Sequence, residues 1–423
     1  MQGGHGDGLR FRLGGKKESA GSDSESVISV DEPISLGHQL DMTVLLLRES
    51  FGTVLALPVA WLQLHPTVAS LREHKLRRIE SGVNTILYLQ QYRNPVFDFV
   101  MQVVSFCAEE EFYLLLLPML FWNGQRELAS RLTMIVICGL FMGNTVKDIF
   151  ELPRPGPRVW HPTLNLDSTH LQDFGFPSTH AMNSVTNSLL VVIHVAFDHE
   201  LVSKPMALGI AFMYILAMCT SRLYLGAHTG TDVRGGLGLG FIVFSLYFTT
   251  RNELELLWMG NNLSSTIAVT FALSVVFLLL CPQPRPITPT FHQNALLVGL
   301  FLGLVWGQKL DLEMNLTEPA RGWKYTLFGF TAMLAIRQMV KVLIVFVLEQ
   351  VFGVHTKPRE EVVRRRAVQS TNGDKKRVIR LFTRDVDLVA VAVIKVVTYT
   401  SAALWITFGN QYVWDRFAKA HFT

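Results

Sequence analysis

The sequence predicts an all-α fold, a polytopic membrane helical bundle with about nine transmembrane helices. Composition supports this, because 49% of the 423 residues are hydrophobic, the mean hydropathy is positive and only 17% are charged, fewer charges than soluble domains carry. Apolar runs bounded by charge, glycine or proline recur along the chain. A helix of about 20 such residues crosses a bilayer core.

Nine apolar segments are candidate spans. They are Phe97–Trp122, Leu132–Val146, Asn183–Phe197, Met206–Thr220, Gly235–Thr250, Ser264–Cys281, Ala295–Trp306, Tyr325–Val351 and Asp387–Phe408. The first five fall in a predicted core, residues 95–250. The last four form a C-terminal multi-span extension, residues 251–423, with a basic loop at 355–385.

The N-terminal quarter precedes these spans. Residues 1–41 are rich in glycine, serine and acidic side chains and have no signal-peptide core, so we predict a disordered tail. Residues 42–94 are predicted to lie along the membrane interface as an amphipathic segment. Their apolar part, Thr43–Leu64, contains two charges and a proline, which favours the interface over a strained crossing.

Charge and cysteine usage narrow the possible partners. The net charge of +4 comes from clustered basic residues, which favours contact with anionic lipid headgroups, and no basic stripe interleaved with aromatics indicates nucleic-acid binding. The four cysteines lie in apolar segments without a CxxC pair, so no disulfide framework is expected. The predicted partner is the bilayer, and the oligomeric state stays open.

The first chemical motif follows the second span and reads Lys147 to Pro155, KDIFELPRP. It places two permanent cations, Lys147 and Arg154, near each other at a helix end, which suits a phosphate. The alternative is a pair of snorkelling charges on a helix that Pro155 ends.

The second motif, Phe176-Pro-Ser-Thr-His180, directly precedes the third span. Ser178 or Thr179 can cap that helix, whose free N–H groups and dipole attract an anion. His180 reaches the same anion from inside the first turn. The alternative is an ordinary cap beside a surface histidine.

The third motif runs from Ser221 to Asp232 and reads SRLYLGAHTGTD. His228 and Asp232 are four residues apart, so on a helix they share a face. A carboxylate bonded to one imidazole nitrogen fixes the tautomer and leaves the other nitrogen to attack. A simple His–Asp pair at a helix start is the alternative.

Span parity brings the motifs together. The second span ends, the third begins and the fourth ends on one face of the membrane. We therefore expect all three motifs to meet at a single surface.

In these residues the chain resembles the type-2 phosphatidic-acid phosphatase superfamily, which includes vanadium haloperoxidases, glucose-6-phosphatases and lipid phosphatases. The resemblance implies an acid-phosphatase or vanadium-haloperoxidase-type core. Thr179 stands where many members have glycine. This PSTH form and the long extension resemble sphingosine-1-phosphate or long-chain-base-phosphate phosphatases.

The resemblance implies that His228 is the nucleophile, Asp232 its orienting partner and His180 the acid for the leaving alkoxide. The implied phosphate-binding residues are Lys147, Arg154, Ser178, Thr179 and Arg222. We predict no cofactor and no required metal, because cations serve the phosphate and the three consecutive carboxylates at residues 109–111 point in different directions.

Several alternatives stay open. A lysophosphatidate, a polyprenyl diphosphate or a sugar phosphate can serve the same motifs, and a non-catalytic lipid carrier on this fold is the alternative outside enzymes. Three intramembrane cations, Arg337, Lys341 and Lys395, are functional candidates by default and are left outside the site.

Two arguments about orientation disagree. Parity places loop 355–385 on the motif face, and the positive-inside rule makes that face cytosolic. Glycosylation sequons at Asn262 and Asn315, on the opposite face, agree with this. The resemblance implies a lumenal site in the endoplasmic reticulum membrane.

Overall fold

A computed structural model describes residues 65–162, 174–260, 262–281, 289–316, 322–351 and 386–418. Within these ranges the regular secondary structure is helical, and loops connect the helices. Pro153 and Phe174 form one isolated bridge. The predicted all-α class is confirmed. All the described residues belong to one compact unit. The predicted tail at 1–41, the segment Thr43–Leu64 and the whole basic loop 355–385 lie outside the described residues.

Eleven main helices are described. They are α1 Pro66–Gln90, α2 Pro95–Phe106, α3 Glu110–Trp122, α4 Arg126–Phe150, α5 Thr179–Val192, α6 Lys204–Tyr224, α7 Gly230–Met259, α8 Leu263–Leu280, α9 Pro289–Met314, α10 Trp323–Val351 and α11 Val386–Leu404. A π-helical turn, Ile193–Asp198, continues α5, and further turns continue α11 to Ala418.

Seven of the described helical segments are long and apolar enough to cross a membrane. They are α4, α6, α7, α8, α9, most of α10 and the segment Val389–Arg416. The predicted span Asn183–Phe197 corresponds to α5 and its π-helical continuation, which are not among these seven segments. The count of nine therefore stays a prediction.

The predicted span Phe97–Trp122 is not one helix. It divides into α2 and α3, separated by Cys107–Glu109. Glu109 occupies the N-cap position of α3, and Glu110 and Glu111 lie in its first turn. Carboxylates near a helix N-terminus are stabilised by the helix dipole, which explains why the acidic run starts a new helix.

Helix α5 is the centre of the core and packs against α4, α6 and α7. Close contact with α7 requires glycine: a Cβ at Gly236 would lie 2.3 Å from the Ser178 carbonyl oxygen, and one at Gly240 would lie 2.8 Å from that of Met182. The N-terminus of α5 is thereby held against the N-terminus of α7.

Helix α1 packs on the end of the bundle that holds the motifs. Gln90 donates to the carbonyls of Val159 and Tyr224 at 2.8 and 3.0 Å, and Arg72 pairs with Glu151 at 3.4 Å. The described part of the predicted interfacial segment therefore contacts the core loops. Its position in the membrane interface stays a prediction.

In the extension, α9 and α11 pack along glycines spaced four residues apart. A Cβ at Gly303 would lie 2.4 Å from the Thr400 carbonyl oxygen and 2.5 Å from the Ala403 Cβ. Small residues at this spacing allow membrane helices to approach closely.

We predict that Gly303→Ala lowers the melting temperature of the protein in detergent, because overpacking costs about 1–3 kcal/mol. Gly209→Ala in α6 is the matched control, since a Cβ there meets nothing within 4 Å. Its melting temperature should stay level or rise through helix propensity. A Gly303→Ala protein as stable as Gly209→Ala would contradict the close α9–α11 contact.

Candidate active site

The three motif loops meet at one end of the bundle, as parity predicts. The Gly175 N–H donates to the Leu152 carbonyl at 2.7 Å, the His161 N–H to Leu225 at 3.0 Å and the Ser178 N–H to Asp232 at 3.0 Å. Each loop is therefore tied to another by backbone hydrogen bonds.

His228 lies in the loop between α6 and α7 and is 1% exposed. Its Nδ1 lies 2.8 Å from the Gly175 carbonyl oxygen. A carbonyl only accepts, so Nδ1 carries the proton and Nε2 has the lone pair. Nε2 lies 3.3 Å from Arg154 Nη1. The imidazole thus presents an unprotonated, nucleophilic nitrogen toward a cation.

Asp232 contacts the loop rather than the imidazole. Its Oδ2 accepts from the Thr229 N–H at 2.7 Å and the Thr229 hydroxyl at 2.9 Å, which forms a capping box at the start of α7. The distance from Oδ2 to His228 Nδ1 is 3.9 Å, beyond hydrogen-bond length. The expectation that both residues share a helix face is wrong, because His228 precedes the helix. The orienting role of Asp232 stays a prediction.

Three cations surround the two histidines. Lys147, Arg154 and Arg222 all lie near enough to act electrostatically on His180 and on His228. Burial, together with Arg154, Arg222 and Lys147, holds the pKa of His228 well below its ordinary value. The imidazole is therefore neutral, which is the form that can act as a nucleophile.

The second motif forms the N-terminus of α5. Ser178 is its N-cap and accepts from the Ala181 N–H at 3.5 Å, and Thr179 is the first helical residue. His180 follows, and its Nε2 is buried without a hydrogen-bond partner among the described residues. The free N–H groups of this turn and the His180 imidazole lie beside the three cations.

The three cations come from separate elements. Lys147 is buried in the last turn of α4. Arg154 donates to the Ala227 carbonyl at 3.3 Å, and Arg222, at the end of α6, donates to Ser105 Oγ at 2.6 Å. All eight residues that the sequence identified thus lie at one end of the bundle.

Sequence reasoning missed several neighbours of this site. Gly175 is a backbone acceptor and has no side-chain signal. Lys75 of α1 lies over the Phe176 ring; burial lowers its pKa to about 8, with the attraction of Asp232 opposing the shift. Ser105 of α2 was hidden inside an apolar span, and Glu109 was considered only as a possible metal ligand. The basic run around Lys75 was the one available signal, and it was interpreted as an interfacial feature.

A separate group with metal-ligand spacing lies at the other end of α5. The ligand atoms of Glu127, His194 and His199 lie within 4.8 Å of one another. Glu127 is already paired with Arg131 at 2.6 Å. His194 is 14 residues from His180, about 21 Å along a helix, so the group is remote from the motifs.

Comparison with known proteins agrees with this geometry. Residues 128–255 match the PAP2 superfamily, so the chain carries a domain of that superfamily, and the matched stretch contains all three motifs. The resemblance stated from the motifs is confirmed.

Three relatives lie close in sequence. The chain is 31% identical to lipid phosphate phosphatase delta of Arabidopsis thaliana over 237 residues, 55% of this chain and 56% of the relative. It is 29% identical to a probable sphingosine-1-phosphate phosphatase of Dictyostelium discoideum (55% and 59% covered). It is 26% identical to sphingosine-1-phosphate phosphatase 2 of Mus musculus (63% and 79% covered). The match thus spans little more than half the length of the first two relatives. No solved structure matches the chain.

We predict that Gly226→Ala displaces the His228 loop. Gly226 has φ +72°, and a Cβ there would lie 1.9 Å from the Val159 carbonyl oxygen, so the substitution is both strained and blocked. The measurement is orthovanadate binding to purified protein, which should weaken roughly 5- to 150-fold if the strain costs about 1–3 kcal/mol.

Gly230→Ala is the matched control, because a Cβ at that glycine meets nothing within 4 Å. It should bind vanadate like the wild type. Equal vanadate binding by both variants would show that the turn at Gly226 does not position the His228 loop.

Proposed function

We propose that this chain is a metal-independent phosphatase for phosphorylated membrane lipids and that it acts through a phospho-histidine intermediate. One observation supports this above all: His228 presents a neutral Nε2 to a cluster of three cations, with its other nitrogen fixed by the Gly175 carbonyl. Phosphoryl transfer needs mainly positioning and charge neutralisation, and this arrangement supplies both.

In the proposed first step the Nε2 lone pair attacks phosphorus, and the bond from phosphorus to the ester oxygen breaks. His180 donates its proton to the departing alkoxide. Lys147, Arg154 and Arg222, with Ser178 and the N–H of Thr179, neutralise the equatorial oxygens. The bound phosphate brings the negative charge that keeps a proton on His180 among these cations.

In the proposed second step a water molecule loses a proton to His180 and attacks the phospho-histidine. The bond between phosphorus and Nε2 breaks, inorganic phosphate leaves and the imidazole returns to its neutral form. His180 then carries the proton taken from water, and the next substrate phosphate supplies the negative charge that keeps it there.

The substrate class that we propose is a sphingoid base 1-phosphate, hydrolysed to the free base and phosphate. The names of the Dictyostelium and mouse relatives support it. A substrate panel with lysophosphatidate, a polyprenyl diphosphate and a sugar phosphate separates the alternatives, and binding without turnover would indicate a lipid carrier.

We further propose that the chain lies in the endoplasmic reticulum membrane. The sequon residues belong to one end of the bundle, because the Leu263 N–H, beside Asn262, donates to Glu313, near Asn315. Helix α7 runs from the motif end to that end. Glycosylation mapping at the two asparagines therefore decides which face holds the motifs.

The function is tested by separating the two histidines with different leaving groups. His180→Ala should lose the roughly 10²- to 10⁴-fold benefit of general-acid catalysis with a long-chain-base phosphate. An activated aryl phosphate releases its phenolate without that proton, so this variant should still give a phenol burst and accumulate acid-labile phospho-histidine. His228→Ala should give neither product in a rapid-quench experiment.

The two variants serve as controls for each other, since both lose one imidazole from the same site. If His228→Ala turned over substrate like the wild type, the assignment of His228 as the nucleophile would be wrong. His180→Ala could instead still bind vanadate and be equally inactive toward both leaving groups. The assignment of His180 as the acid would then be wrong.

Metal independence gives a separate prediction. Protein treated with a chelator and repurified should keep its phosphatase activity, because fixed cations neutralise the phosphate. The measurement compares initial rates before and after treatment, with and without added magnesium. Loss of activity that magnesium restores would overturn the proposed metal-free mechanism.

A further inference from the structure

A carboxylate lies beside the phosphate-binding cations, at the break between α2 and α3. Arg222 Nη1 donates to Ser105 Oγ at 2.6 Å, and the Ser105 hydroxyl donates to Glu109 Oε1 at 3.4 Å. One hydroxyl group therefore separates the Glu109 carboxylate from the guanidinium, which it is near enough to attract.

Glu109 has no direct ion-pair partner among the described residues, and the Ser105 hydroxyl lies between its carboxylate and Arg222. Glu109 occupies the N-cap position of α3 but makes no side-chain capping bond. No lysine, arginine or histidine nitrogen of the described residues lies within 4.0 Å of it. By contrast, Glu110 accepts from the Gln293 amide, and Glu111 is exposed. A partly buried carboxylate without a direct ion pair, near a cluster of cations, is available to bind a cationic group of a ligand.

We propose that Glu109 binds the ammonium group of the substrate, so that the site recognises a 2-amino-alkyl phosphate. This rests on the proposed phosphatase function. In such a molecule four covalent bonds separate the nitrogen from the phosphorus. The ammonium must therefore lie close to the residues that hold the phosphate. A carboxylate one hydroxyl away from Arg222 matches the two opposite charges of this headgroup.

The same arrangement disfavours phosphates without an amine. Lysophosphatidate or a polyprenyl phosphate brings only negative charge, and it leaves Glu109 unpaired beside an anion. Specificity is a difference between two affinities. One carboxylate contributes to both sides of that difference, since it attracts the amine and repels a purely anionic headgroup.

An apolar groove gives the hydrocarbon chain of the same molecule a place. It lies between α3, α5 and α6, has a volume of about 400 Å³ and is lined by Cys107, Tyr113, Val191, Ala211 and Tyr214, among others. Cys107 is two residues from Glu109 in the α2–α3 break. We place the tail of a headgroup held at Arg222 and Glu109 in this groove, because Cys107 belongs to its lining.

The test compares sphingosine 1-phosphate with its 2-deamino analogue of equal chain length in mixed micelles. In the wild type, kcat/KM should favour the amine. Glu109→Gln should lower that preference roughly 10- to 100-fold, the contribution of a hydrogen bond to a charged group. Glu109→Asp keeps a carboxylate and should retain part of the preference.

Glu111→Gln is the matched control, because it removes the same charge from the same acidic run at an exposed position. It should keep the wild-type preference. If Glu109→Gln lost the same activity on both substrates, or lost no activity on either, the proposed ammonium site would be wrong.

A binding measurement separates this proposal from the phosphatase function. In the His228→Ala background the ligand is not consumed, and the ratio of the dissociation constants for the amine and its deamino analogue is measured with and without Glu109→Gln. If the wild type hydrolyses no phosphate, the proposed function fails. The change in that ratio still decides whether Glu109 binds the amine.

Discussion

The mutual repulsion of three clustered cations is the constraint on which the motif end of this protein depends. Lys147, Arg154 and Arg222 come from α4, a loop and α6, and each acts on the same two histidines. Like charges in a poorly solvated site destabilise one another. The surrounding hydrogen bonds offset this, since Arg154 bonds a carbonyl and Arg222 bonds a hydroxyl backed by a carboxylate. The same clustered charges that repel one another attract a phosphate.

The motif-bearing domain supplies the cations and histidines, and the flanking helices complete their surroundings. The superfamily match begins at residue 128. Gln90 and Ser105 contact the third motif from outside it, and Glu109 accepts from Ser105. The reactive groups and the groups around them therefore belong to different parts of the chain. In our proposal the first part transfers phosphate, and the second distinguishes the headgroup that carries it.

The sequence predicted the helical class and the meeting of the motifs, because hydropathy and span parity need no side-chain detail. It also identified all eight residues that the structure brings to one end of the bundle. It did not predict the acceptor of the His228 proton. That acceptor is the backbone carbonyl of Gly175, which becomes visible only when the second and third motifs are folded together.

The other errors have local causes. Hydropathy counted Phe97–Trp122 as one span, because the apolar residues on both sides outweigh the acidic run that starts α3. Spacing placed His228 and Asp232 on one helical face, but the turn at Gly226 is followed by a helix that begins only at Gly230, which leaves His228 in a loop. Periodicity cannot detect a turn that depends on one positive φ angle.

The hydrogen bond from His228 Nδ1 to the Gly175 carbonyl has a stereochemical consequence. Imidazole can be phosphorylated on either ring nitrogen, and the two isomers are distinct compounds. With Nδ1 occupied by a backbone acceptor and Nε2 turned toward Arg154, a phosphoryl group can be attached only at the position remote from the main chain. In our proposed mechanism the fold thereby restricts the covalent adduct to the tele isomer, whose phosphate is held away from the backbone and toward the cations.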